Sequence, residues 1–418
     1  MNTSIFDTRM LQDAVDAAHQ AGGGTVTVPP GRHEMGTLVL RSRVTLRLEP
    51  GAVIVGSSRL QDYRSDVSLF VCGSGQERGR ALIYAEDAED LAIEGMGVID
   101  GCGDAFRKDD PLWGQRPFLC RFLRCRRLRL RDVTLRNAAA WSAQFSICED
   151  VSISGLTIHA HANNNNDGLD LDSCRRVRVS GCDLDTEDDA ICLKATHGAP
   201  CEDITITGCT IRSQCGAIKL GTESYGDMRN IVIGQCSIRD TPGAPIKLLC
   251  VDGGIMENII LSDLVVRGST GPVFIRLGDR GRTYHAGDAI KPAGRLRRVI
   301  ISNLIHTAPE GGTPRHHGIS LSGLPGAMIE DVTLSRCCVE VPGGIPLDQV
   351  AAEIPEKPDS FPDIAMFGVR PAHAVWARHV KGLILDDVRV TPLLQDARPR
   401  FVFEDVHDLR MSPETENL

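Results

Sequence analysis

One pattern constrains this chain more than any other: an eight-residue motif that keeps returning. It reads LRLRDVTL from 128, VSISGLTI from 151, VRVSGCDL from 177, ITITGCTI from 204 and IVIGQCSI from 231. It continues as IILSDLVV from 259, VIISNLIH from 299, VTLSRCCV from 332 and LILDDVRV from 383, and LAIEGMGV at 91 is an earlier member. The central starts lie 23, 26, 27, 27 and 28 residues apart. Each copy is apolar at its first, third, sixth and usually eighth positions, a period of two that specifies strand. A polar pair interrupts it between the third and sixth, as two short strands meeting at a bend would require. A repeat of this length signals a solenoid whose coils bury their inner side chains only against neighbouring coils. The expected fold is therefore all-β, a single-stranded parallel β-helix.

The columns of the alignment support that reading. The sixth position runs Val133, Leu156, Cys182, Cys209, Cys236, Leu264, Leu304, Cys337 and Val388. Three residues before each start stand Cys125, Cys148, Cys174, Cys201, Met228, Met256, Leu296, Ile329 and Val380. Cysteine alternates there with aliphatic residues, so these eight cysteines are read as small buried hydrophobes and not as metal ligands or disulfides. A third alignment joins DGLDL, DAICL, GAIKL, APIKL and VFIRL, ending at 171, 193, 220, 248 and 277. Between its two apolar files lies an outward file of Asp170, Cys192, Lys219, Lys247 and Arg276.

At the N-terminus, Leu11, Val15 and Ala18 recur at helical spacing and Gly22 to Gly24 stop the pattern. A helix over 7–21 is expected to cap the open end of the core. Residues 342–364 break the period and are read as a loop inserted within one β-helix domain spanning 1–418.

Composition sets the outer bounds. The formal charge of −9 argues against a nucleic-acid partner. No apolar run is long enough to span a membrane, and the first residues lack the basic start and apolar block of a signal peptide. Those features, with 15 cysteines and no CxxC pair, set the expectation of a cytoplasmic protein with reduced thiols. A monomer is expected in preference to an oligomer.

Two acidic knots carry the chemistry. NNNNDGLDLDSC covers 163–174 and TEDDAICLK covers 186–194. In the third alignment Asp189 falls in the slot of Asp167 one coil later, and Asp188 in the slot of Asn166. The 21 residues from Asp167 to Asp188 are thus one circuit of the solenoid. Carboxylates packed together oppose one another's ionisation, which is how one cleft comes to hold both an acid and a base. Glycoside hydrolysis needs that pair. Turn residues at a coil corner are the plainer reading, but two knots in register beside a basic file favour function.

At these residues the chain resembles a family. NNDG at 165–168, EDDAI at 187–191, CGAIKLG at 215–221 and PIK at 245–247 are similar to the successive motifs of glycoside hydrolase family 28, the polygalacturonases and their relatives. Residues 137–174 are most similar to exo-acting members. The resemblance covers about residues 6–280. It implies a right-handed β-helix and hydrolysis with inversion at the anomeric carbon. It also implies Asp188 as the general acid, Asp167 and Asp189 as the groups that hold and deprotonate water, and Lys247 as a ligand of the substrate carboxylate. Two family residues are absent: Cys215 stands where a histidine is usual, and Pro245 where an arginine is usual.

Lys219 and Arg276, read as lying in the file of Lys247, could replace the lost cation or merely form a solvated basic row. Asn166, Asp170, Glu223 and Tyr225 complete the expected substrate-binding set. Trp141, His197 and the pair His316–His317 are weaker candidates, with packing or a surface turn as the alternative. The expected substrate is an oligosaccharide or polysaccharide containing uronate, with no cofactor and no metal. A β-helix polysaccharide lyase and a non-catalytic carbohydrate-binding module are the competing classes.

Overall fold

A computed structural model describes residues 7–71, 77–309 and 318–416; His316 and His317 lie outside that set. The fold is a parallel β-helix with an N-terminal helix, as the repeat requires. The chain divides into two compact units, Met1–Cys192 and Leu193–Leu418.

In the first unit the helix spans Thr8–Gln20 and buries Leu11 and Val15. Asp7 caps it, its carboxylate accepting from the Met10 amide at 2.8 Å. Gln12 then closes a strand edge: its amide donates to the Val39 carbonyl at 3.0 Å and accepts from the Val39 amide at 2.8 Å. That pairing covers backbone groups that would otherwise leave an exposed sheet edge. The predicted stop holds, because Gly23 sits at φ +132° and a Cβ there would meet the Arg43 carbonyl oxygen at 2.7 Å.

Beyond the helix, each coil contributes three strands. The repeat columns are the observed register: Leu91, Leu128, Val151 and Val177 are partners in order. In the second unit Ile204, Ile231, Ile259, Val299, Val332 and Leu383 continue the same way. The polar break has a defined geometry. Its second residue adopts the left-handed conformation in every copy, whether Gly155, Gly181 and Gly208 or Asp132, Gln235, Asp263, Asn303, Arg336 and Asp387. Gly, Asn and Asp tolerate that conformation best, which accounts for most of these residues. In the second unit the strands on either side of the bend run on as one, as in Met228–Arg239, Ile255–Arg267 and Arg295–Thr307.

All eight column cysteines are buried free thiols. Several donate to carbonyls of the preceding coil, Cys148 to Phe122 at 3.4 Å and Cys174 to Phe145 at 3.4 Å. Burial pushes the Cys148 thiol well up, which keeps it protonated and inert.

Two boundaries differ from expectation. The strand Ile329–Gly343 runs through Pro342, so the strand-free insertion covers 344–374 and not 342–364. Three buried arginines hold it by its carbonyls. Arg276 donates to Glu356 and Lys357, Arg370 to Gly368 and Ile364, and Arg378 to Ile354. Among the described residues no helix is long and apolar enough to cross a membrane.

Candidate active site

Asp167, Asp188 and Asp189 sit in the first unit, where two adjacent coils turn in parallel. The Gly168 amide bonds the Asp189 carbonyl at 2.9 Å and the Leu169 amide bonds the Ala190 carbonyl at 2.8 Å. That ladder places Asp167 beside Asp189, as one circuit demands. The Asp188 amide points at the Asn166 carbonyl at 3.4 Å.

Asp188 is half-buried, whereas Asp167 and Asp189 are nearly closed off at 3% and 2% exposure. Its carboxylate accepts from the Asp189 amide at 2.9 Å and from the Asn165 amide group at 3.3 Å. The neighbouring Glu187 carboxyl is pushed up by burial and by the Asp188 charge.

The asparagine run is a built frame. Asn166 is fully buried; its amide donates to the Ala138 and Ala140 carbonyls at 2.9 and 2.8 Å, and its oxygen accepts from the Asn163 amide at 2.7 Å. Asn165 stands in the left-handed region at φ 58° and so turns its side chain to Asp188. Arg116, unremarkable in the sequence, anchors the run. Its guanidinium donates to the Asn164 carbonyl at 2.8 Å, the Asn165 side chain at 3.2 Å and the Ala139 carbonyl at 2.7 Å. It also lies 3.7 Å over the Trp113 ring. Arg116 is 48 residues from Asn164, and no local motif marks it.

Asp170 lies on the outward side of its strand, in register with Gln144, yet it is fully buried. Trp141 does not offer an open ring. It is 4% exposed, packed 5.2 Å from Phe70 and 5.5 Å from Phe118.

In the second unit Lys219 and Lys247 are direct partners on neighbouring strands, 8% and 5% exposed. Lys247 donates to the Cys215 carbonyl at 3.0 Å and lies 3.6 Å from its sulfur. Arg276 is not the next member of this file. Lys247 pairs with Phe274, and Arg276 pairs with Leu249, two residues along. The expected register slipped because a shift of two leaves every side chain on its own face. The Arg276 guanidinium instead bonds Ser322 and the Gly323, Glu356 and Lys357 carbonyls.

Glu223 forms a buried ion pair with Lys194 at 3.3 Å. Burial opposes its ionisation, but the Lys194 and Lys219 charges outweigh that and hold the carboxyl down to about 2. Nearby, Arg280 pairs with Asp252 at 2.6 Å, and the Tyr284 hydroxyl donates to Asp252 at 2.8 Å. Tyr225 lies under the Lys291 ammonium, 3.9 Å from the ring centre. His197 stacks on His285 at 4.4 Å. Sequence reasoning passed over Lys194, Asp252, Arg280, Tyr284 and Lys291. Only Lys194 carried a signal, one position after the apolar file at Leu193.

The model of the glycosyl hydrolases family 28 matches residues 25–344. A probable polygalacturonase of Vitis vinifera is 28% identical over 209 residues, 46% of this chain and 41% of that protein. An exo-poly-alpha-D-galacturonosidase of Dickeya chrysanthemi is 27% identical over 246 residues, 47% of this chain and 40% of that protein. The chain therefore spans less than half the length of these curated relatives. Two solved structures share the fold. The Yersinia enterocolitica family 28 exopolygalacturonase superposes with a TM-score of 0.77 at 19% identity, over 98% of this chain and 76% of that one. An exopolygalacturonase of Thermotoga maritima gives 0.71 at 21%, over 94% and 89%.

Proposed function

The chain belongs to glycosyl hydrolases family 28, and on that premise we propose that it is an inverting, exo-acting glycoside hydrolase of pectin-derived or other uronate-containing oligosaccharides. The observation that carries the proposal is the meeting of Asp167, Asp188 and Asp189 across one circuit of the coil. Asp188, the more accessible acid, gives its proton to the departing glycosidic oxygen as the carbon–oxygen bond breaks. Asp167 and Asp189 hold a water and take its proton as its oxygen attacks the anomeric carbon from the opposite face. An inverting pair stands about 6.5–9.5 Å apart to admit that water. Asn165, itself held by Arg116, fixes the Asp188 carboxyl.

Lys247 is the proposed ligand of the sugar carboxylate. An ammonium has three donors, and the Cys215 carbonyl takes one. The exo mode draws on the names of the Dickeya, Thermotoga and Yersinia proteins. With Cys215 and Pro245 in place of the usual histidine and arginine, the sugar bound beside the cleaved bond is expected to differ from plain galacturonate.

The test is a panel of defined uronate- and rhamnose-containing oligosaccharides, followed by reducing-end release, ultraviolet absorbance and the first-formed anomer by proton NMR. New reducing ends without absorbance, inverted at the anomeric carbon and lost by about 10²–10⁴-fold in Asp188→Asn, are expected. An unsaturated, ultraviolet-absorbing product would make the protein a lyase. Tight binding without turnover, unchanged in Asp188→Asn, would make it a carbohydrate-binding module.

A further inference from the structure

We propose that His159, His161 and Asp185, with Glu187 beside them, bind one divalent transition-metal ion of the zinc class on the outer face of the first unit. His159 and Asp185 are direct partners on adjacent parallel strands, Thr157–Ala160 and Asp183–Thr186. The Glu187 amide bonds the Ala160 carbonyl at 2.8 Å, which carries the same register on and sets Glu187 beside His161. Residues two apart on a strand share a face. His159 and Asp185 thus face each other within the strands, and His161 and Glu187 stand opposite each other just past the strand ends.

One donor atom from each of His159, His161 and Asp185 lies within 4.8 Å of the others. His161 Nε2 is 2.7 Å from one Asp185 oxygen, and His159 Nδ1 is 3.9 Å from the other. A tetrahedral ion with ligand bonds near 2.0–2.1 Å holds its donors about 3.4 Å apart. The two observed spacings bracket that value, so small side-chain rotations bring these three donors to ligand spacing. Two imidazoles and carboxylate oxygen suit zinc, nickel, cobalt or copper better than calcium or magnesium. Two neutral imidazoles and two carboxylates also balance a double positive charge. Arg136 is the partner of His159 on the other side, but its guanidinium is already engaged by Asp100 at 2.8 Å.

The ion has a structural consequence. It ties consecutive coils together on the strand that runs directly into Asp188, so it stiffens the entry to the acidic knot without touching the reacting sugar. Nothing in this inference depends on the sugar chemistry.

The test uses the full chain stripped with a chelator and dialysed. Cobalt(II) is the spectroscopic probe, because thiolate ligation gives charge-transfer bands that imidazole and carboxylate do not, and the many cysteines are thereby set apart. One equivalent is expected to bind without those bands, and zinc is expected to displace it and raise the melting temperature. His159→Ala removes a ligand whose side chain is 63% exposed, so the fold survives. It and His161→Ala are each expected to weaken binding at least about tenfold and to abolish the thermal shift. No saturable uptake below millimolar metal would overturn the proposal. So would thiolate bands, or wild-type affinity in both variants.

Discussion

Replacing Glu223 by Gln should destabilise the protein by an amount that shrinks in acid. Glu223 is 5% exposed and held down to about 2 against a usual value of 4.5. That depression corresponds to roughly 3 kcal/mol of stability at neutral pH. The direction follows from linkage. A carboxyl with a depressed folded value lends its stability above the unfolded value and loses it as pH falls through the folded one. The contribution is therefore complete above about pH 5 and falls to less than half of that by about pH 3. Glutamine stands in for the protonated acid, so the gap between wild type and Glu223→Gln should close over that range. Urea unfolding at pH 7, 4 and 3 measures it, because urea leaves the ion pair unscreened. Lys194→Met in the Glu223→Gln background should cost less than either change alone, since no charge is then stranded in the interior. A gap that is constant with pH would refute the argument and make Glu223 a packing residue whose charge does not matter.

Arg116→Lys should lower kcat by about a hundredfold with little change in KM, because an ammonium cannot bridge Asn164, Asn165 and Ala139 together and Asp188 loses its support. Steady-state kinetics beside a far-ultraviolet circular dichroism spectrum would separate that from misfolding. Trp141→Ala should cost about 3–5 kcal/mol in urea unfolding, since it removes the centre of the Phe70–Phe118 cluster; lost affinity at unchanged stability would instead make it a sugar platform. Arg276→Met should release the 344–374 segment, seen as faster cleavage after Glu356 by a glutamate-specific protease with the melting transition of the coils nearly unchanged. Asn166→Ala should cost about 2–3 kcal/mol, because two buried carbonyls lose their donor.

Much of this protein can be read from the order of its residues. A solenoid places each residue beside its counterpart one period away, so an alignment of the chain with itself is already a contact map. The columns from Leu91 to Val177 and from Ile204 to Leu383 were legible in this way, as were the buried cysteines and the pairing of Asp167 with Asp189. Self-alignment fails where the pattern is degenerate or the contact is not periodic. The VFIRL strand allowed a shift of two without exposing one apolar side chain, and only the hydrogen-bonded ladder set Phe274, not Arg276, beside Lys247. Arg116 reaches Asn164 from a segment outside the repeat, and Lys194 meets Glu223 29 residues away, through side-chain length and burial that no column encodes. The interior follows from periodicity because apolar burial depends on position alone. The polar frame around the acids does not, because a hydrogen bond depends on direction and reach, which exist only once the coils are stacked.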